Sequence, residues 1–225
     1  MNNLIISIGR QLGSGGCEIA RKLANDMNCH FYDRELINMA AERCGFNPKI
    51  FEKQDENYGT LKTLFGAFSG RLGRMSGAFY SNTMSQEELF QIQSEAIFKA
   101  AKTEDCVFVG RCADYILRNK PGLFSVFITA NDDDRTAEVA RRRGCTTDEA
   151  RRFIERKEAE RAAYYNYYTS KKWGAAESYD FCINSSLLGW ERTAEVIEQV
   201  IRTTREEGLR VKSEEWRDEG MRDEK

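Results

Sequence analysis

The chain has 225 residues, 41% of them hydrophobic and 31% charged, with a formal net charge of −2. That length and apolar content suffice for one α/β domain with a full core, and the near-neutral charge argues against the global basic field of a nucleic-acid binder. No apolar run approaches the ~18–20 residues of a membrane span, so neither a membrane nor a nucleic acid is expected as a partner. The N-terminus runs directly into a strand-like segment, without the pattern of a signal peptide. Seven cysteines (Cys17, Cys29, Cys44, Cys106, Cys112, Cys145 and Cys182) are odd in number and form no C-x-x-C pair. They read as reduced thiols of a cytoplasmic protein. One histidine makes a His/Cys zinc site improbable, and no metal ligand is assigned.

Residues 4–8 are apolar on both faces, as in a central parallel strand. They lead through LIISIGRQLGSGGC into a helix expected over 15–27. Strand, glycine turn and helix form the layout of a phosphate-binding site, with inward N–H groups and the positive end of the helix dipole. The alternative is a structural βα turn, which also needs glycine. A standard P-loop reads G-x-x-x-x-G-K-S/T. On that template Arg10 takes the first Gly, Gly13 and Gly15 keep the turn, Gly16 takes the Lys and Cys17 takes the Ser/Thr. Arg10 can supply the missing charge from the other end of the loop, and Ser14 can offer an oxygen.

A short strand is expected over 29–32, where His30 reads as structural. Asp33 then either caps a helix over 34–43 or contacts an acceptor substrate. Residues 49–56 look helical. The Gly-, Ser- and Phe-rich stretch 59–81 lacks a period and reads as a lid-like connection or an irregular loop. Ser85 caps a helix to about residue 102. A third strand over 106–109 ends in Gly110-Arg111. Arg111 there either grips phosphate through two parallel bonds or pairs with Asp114.

A helix over 113–118 and a Pro121-Gly122 turn lead to a fourth strand over 123–129. The helix over 132–143 begins acidic and ends in three arginines, in accord with its dipole. Thr146 or Thr147 caps a long charged helix to about residue 168. Arg141, Arg142, Arg143, Arg151, Arg152, Arg156 and Arg161 crowd this region among acids. They form either a salt-bridged surface or, in part, the charge that neutralises a moving phosphoryl group. The tyrosines at 164, 165, 167 and 168 either pack as a stripe or stack on a base. A fifth strand over 179–184, a helix over 191–206 and a charged tail over 207–225 complete the chain. Alternating strands and helices imply a parallel sheet covered on both faces, with ligands at the carboxyl ends of its strands.

Taken in order, ISIGRQLGSGGCEIARKLA, FYDRELINMAA, CVFVGRCADYILR, ERKEAERAAYYNYYTSKKWG and YDFCINSSLLG resemble the cytidylate kinase-like family, a divergent branch of the P-loop nucleoside monophosphate kinases. The resemblance covers the chain to about residue 205. It implies a single α/β P-loop domain over 1–206 with three layers and a five-stranded parallel sheet. It further implies a helical acceptor-binding insert near 35–105 and an arginine-bearing lid near 141–172.

The implied activity is transfer of a phosphoryl group from ATP, with Mg²⁺, to a small acceptor such as CMP. Backbone amides of Gly13, Ser14, Gly15, Gly16 and Cys17 would hold the donor phosphates. Asp33 and Arg111 would hold the acceptor. Arg10, Arg156 and Arg161 would act on the transferred group, with Arg141 or Arg142 at the start of the lid. Asn184-Ser185-Ser186 resembles the segment near the donor adenine. The sequence departs from the family pattern at Gly16, at Cys17 and at Cys112, which replaces an aspartate. Sulfur is a poor ligand for Mg²⁺. Two other readings therefore stay open: a nucleotide-binding sensor without turnover, and a kinase for a non-nucleotide acceptor.

Overall fold

The computed structural model describes residues 3–33 and 86–206. The expected helices over 34–43 and 49–56, the irregular stretch 59–81 and the tail over 207–225 lie outside the described residues. The chain divides into two compact units, Met1–Arg34 with Ile97–Lys225, and Glu35–Ala96.

The first unit is built on β1 (Ile5–Arg10), α1 (Gly16–Asp26), β2 (His30–Tyr32), the second half of α2 (Gln86–Thr103), β3 (Cys106–Val109) and the short α3 (Ala113–Ile116). There follow β4 (Leu123–Thr129), α4 (Asp132–Arg143), α5 (Thr147–Thr169), a 3₁₀ turn (Ala176–Ser178), β5 (Phe181–Asn184) and α6 (Ser185–Glu206). The first half of α2 is the described part of the second unit.

The five strands form one sheet in the order β2-β3-β1-β4-β5, and every pair is parallel. β1 is therefore central, and Ile5, Ile6, Ser7 and Ile8 are all buried, as its apolar composition predicts. The strand extends two residues beyond the expected end, because Gly9 and Arg10 stay in register with Phe127 and Ile128 of β4. Ile6 and Ile8 join Ile19, Leu23, Val107, Val126, Ile197 and Ile201 in the main core, which α1 and α6 cover from one face. Each such side chain contributes about 1.5–3 kcal/mol on burial.

α4 carries Asp132, Asp133 and Asp134 in its first turn and Arg141, Arg142 and Arg143 in its last, and Gly144 ends it at φ 62°. α5 opens on a capping box: Thr146 accepts from the Glu149 amide, and the Glu149 side chain accepts from the Thr146 amide. Two boundaries differ from the sequence expectation. β5 begins at Phe181 because the 3₁₀ turn occupies 176–178. Helix begins at Ser185 rather than near residue 191: Asn184 accepts from the Ser186 amide at 3.0 Å, and a first turn precedes a break at Gly189, φ 74° and ψ 166°.

β1 leads to β2 on one side of the sheet, while β3, its neighbour, leads to β4 on the other. The crevice outside the carboxyl ends of β1 and β3 is thus the topological switch point, where ligands of such sheets bind.

Candidate functional site

Residues 11–15 form the turn between β1 and α1. Gln11 N–H donates to the Ile128 carbonyl at 3.0 Å, and Ser14 Oγ donates to the Gln11 carbonyl at 2.9 Å. Gly13 at φ 85° and Gly15 at φ 73° are left-handed, a conformation in which L side chains are strained. Close packing also excludes side chains at both. A Cβ on Gly13 would lie 2.6 Å from the Arg135 carbonyl oxygen, and one on Gly15 would lie 2.3 Å from the Trp190 indole. The loop is held from behind by Glu158, which accepts from Leu12 N–H at 2.9 Å and from Arg135 Nη1 at 2.6 Å. Arg135 also pairs with Asp132. Ser185 Oγ, from α6, donates to the Ser14 carbonyl at 2.8 Å.

Arg10 leaves the end of β1 and runs across the first residue of α1. A Cβ on Gly16 would lie 2.5 Å from Arg10 Cβ and 2.8 Å from its Cγ. The guanidinium continues to the end of β3, where a Cβ on Gly110 would lie 2.4 Å from Arg10 Nη1. Arg10 thus spans from the glycine loop to the Gly110 turn, and both glycines leave room for it. Arg10 is half-buried, and its guanidinium pKa is pushed down to about 9, chiefly by desolvation, then by the Arg161 charge. Cys17, Arg111 and Asp33 also lie within reach of its charge. At neutral pH the guanidinium keeps its proton, so the group is a half-buried cation beside two others. Such a cluster favours an anion.

Arg111 sits in a strained turn. Gly110, Arg111 and Cys112 all have positive φ, at 77°, 56° and 56°. Two consecutive non-glycine residues in that region cost of order 1–3 kcal/mol each, a cost found mostly at functional sites. Asp114, the alternative partner for Arg111, instead accepts a buried hydrogen bond from Tyr165 Oη at 2.7 Å. The Arg111 guanidinium lies 5.7 Å from the Tyr164 ring centroid. Burial pushes the Tyr164 phenol up to about 12. Arg161, one turn earlier on α5, donates from Nη1 to the Arg10 carbonyl at 3.3 Å.

Of the residues singled out in the sequence, Arg10, Cys17, Asp33, Arg111 and Arg161 come together beside the loop 13–17. Arg156 does not join them. It lies five residues before Arg161, about 140° around the helix, and its guanidinium is 5.5 Å from the Phe153 ring. The tyrosines pack among themselves and with Tyr179: Tyr164 against Tyr168 at 4.7 Å and Tyr165 against Tyr179 at 6.0 Å. Arg142 bonds Glu18 at 2.8 Å and lies 5.6 Å over Trp190. His30 pairs with Glu104 at 3.3 Å on β2. Asn184 donates to Asn131 Oδ1 at 2.9 Å, and Asn131 N–H donates to Ser186 Oγ at 2.9 Å.

Sequence reading did not single out Trp190, Arg135, Glu158 or Gly110's service to Arg10. The one local signal was the interleaving of arginines and acids over 141–161, in which Glu158 reads as one solvated acid among several and from which Arg135 is absent. Among the described residues no helix is long and apolar enough to cross a membrane.

The model of the cytidylate kinase-like family matches residues 5–187, and the chain belongs to that family. Among solved structures, the chain is similar to an uncharacterized protein from Eubacterium ventriosum ATCC 27560, at 27% identity and TM-score 0.67 over 89% of this chain and 99% of that one. It is similar in fold to shikimate kinase from Bacteroides thetaiotaomicron, at 14% identity and TM-score 0.51 over 88% of this chain and 98% of that one. No curated protein matches it. The fold is the α/β fold of P-loop kinases.

Proposed function

We propose that the chain transfers the terminal phosphoryl group of ATP to a small phosphorylated acceptor, a nucleoside monophosphate such as CMP. The observation that carries this reading is the course of Arg10, which brings a half-buried cation from the glycine loop to the end of β3. Amides of residues 13–17 and the N-terminus of α1 hold the donor phosphates. Arg10 supplies the charge that a P-loop lysine supplies from the position held here by Gly16. Arg111 grips the acceptor phosphate, Asp33 orients the acceptor, and Arg161 joins Arg10 in stabilising charge on the moving group. Phosphoryl transfer asks little covalent help of a protein beyond such positioning and charge.

The family implies nucleotide and Mg²⁺, but the donors beside the loop do not suit a protein-bound Mg²⁺. Cys17 presents a soft sulfur whose thiol is pushed up by burial, and the Ser14 hydroxyl is turned to the Gln11 carbonyl. No step is routed through a metal held by these residues. The same observation favours a second reading, a nucleotide-binding sensor without turnover.

ADP release from ATP and Mg²⁺ against a panel of nucleoside monophosphates, with an acceptor-free control, separates the two. Turnover dependent on one monophosphate supports the kinase. ATP binding with no turnover on any acceptor supports the sensor, and absence of ATP binding removes both.

A further inference from the structure

The arginines of α4 and α5 fall into two groups. Arg135 pairs with Glu158 and Asp132, Arg141 with Glu138, Arg142 with Glu18 and Glu138, and Arg151 with Asp133. Arg143, Arg152 and Arg156 make no close ion pair or hydrogen bond among the described residues, Arg152 having only the longer-range charge of Glu149, and all three line one groove with Cys145, Glu149 and Phe153. The groove has a volume of about 380 Å³. That volume lies in the range of small-molecule sites.

Its aromatic floor sets the arginines in place. The Arg143 guanidinium lies 3.8 Å from the Phe153 ring centroid, and that of Arg156 lies 5.5 Å away. Stacking uses the face of a guanidinium and leaves its N–H edge for in-plane bonds to phosphate. Arg152 and Arg156 stand one helical turn apart, about 6 Å along the axis. Two long side chains one turn apart can reach separate phosphates of one chain. The single carboxylate of the groove, Glu149, is committed to the capping box: Thr146 N–H and Oγ1 both donate to it at 2.9 Å. Its charge also reaches Arg152, but one carboxylate against Arg143, Arg152 and Arg156 leaves the groove net cationic.

We propose that this groove is a second anion site, separate from the glycine loop, that takes a small molecule bearing two or more linked phosphates. The inference does not depend on the activity proposed above. It also gives Arg156 a role away from the Arg10 cluster.

The test is calorimetric titration of the full chain with inorganic tripolyphosphate at low salt, in wild type and in two double variants. Arg152→Ala with Arg156→Ala removes the groove's edge donors. Arg151→Ala with Lys157→Ala removes the same charge from side chains that already have acidic partners. The groove variant is expected to weaken one binding component at least tenfold while its thermal melt stays as in wild type, because both side chains are exposed. The control variant is expected to bind within about twofold of wild type. The proposal is overturned if wild type does not bind tripolyphosphate, if the groove variant binds as wild type does, or if the control loses as much affinity. Arg10→Met separates this site from the loop. If the loop binds no phosphate, wild type shows a single component, untouched by Arg10→Met and lost in the groove variant. Displacement of tripolyphosphate from the groove by ATP would identify the occupant as a nucleotide. Displacement by pyrophosphate but not by ATP would identify a free phosphate chain.

Discussion

The side chain of Arg10 occupies the space beside Gly16, so closely that a Cβ on Gly16 would lie 2.5 Å from Arg10 Cβ. The two positions share one volume, which holds a long cation at 10 and no side chain at 16. A standard P-loop distributes the same parts the other way, glycine first and lysine later. Gly16→Lys in the presence of Arg10 should therefore destabilise the fold by roughly 1–3 kcal/mol through overpacking. Adding Arg10→Gly to Gly16→Lys should restore both the melting temperature and ATP binding. Thermal melts with and without ATP check this, and a Gly16→Lys protein as stable as wild type would contradict the shared volume.

Charge at Arg10 ties phosphate binding to pH. Its guanidinium pKa, about 9, is lowered by burial and by Arg161. A bound polyphosphate favours the protonated form and raises that pKa. Affinity for ATP should be level with respect to this group below pH 8 and should fall as pH rises through about 9, because binding then requires proton uptake. Arg10→Met should bind ATP more weakly at pH 7 and show no such fall between pH 8 and 10. Titration calorimetry in buffers of different ionisation enthalpy reads the proton uptake directly.

Arg111 is predicted to act on the acceptor more than on the donor. Arg111→Ala should raise the acceptor KM by roughly 10–100-fold, the loss expected for a charge-assisted contact to phosphate, with a smaller change in the KM for ATP. Steady-state kinetics with both substrates varied decides it. Equal effects on both constants would assign Arg111 to the backbone of the site rather than to the acceptor.

Behind the loop, Arg135 and Glu158 form a pair whose side chains are 8% and 18% exposed. Removing one partner strands a desolvated charge, and Glu158 also accepts from Leu12 N–H. Arg135→Ala should cost roughly 3 kcal/mol of stability, measured by urea unfolding. An effect under about 1 kcal/mol would place the pair with ordinary surface ion pairs.

Gly13 meets the backbone of the same residue. A Cβ there would lie 2.6 Å from the Arg135 carbonyl oxygen and 2.9 Å from its Cα, at φ 85°. Backbone cannot step aside as a side-chain tip can. Gly13→Ala should destabilise by roughly 2–4 kcal/mol, from left-handed strain and steric overlap together. It should also weaken ATP binding, since relief of the overlap must move the loop. A melting temperature equal to that of wild type would refute the close approach.

The strand-loop-helix of residues 5–26, the parallel sheet and a threonine cap at 146 or 147 were legible in the chain because each rests on local pattern. Ile5, Ile6 and Ile8 are apolar at successive positions, as a strand buried on both faces requires. The structure decides between the two threonines for Thr146, whose capping box uses Glu149. The family, too, was legible from short motifs in order. What the sequence alone could not decide is which arginines meet. Arg156 and Arg161 look alike in a charged helix, yet about 140° of rotation sends one to Phe153 and the other to the Arg10 carbonyl. Likewise Gly16 and Gly110 read as a missing lysine and a strand end. Only the fold shows both as clearance for one side chain, because residues 10, 16 and 110 become neighbours only when β1 and β3 pair and their loops converge at the same edge of the sheet.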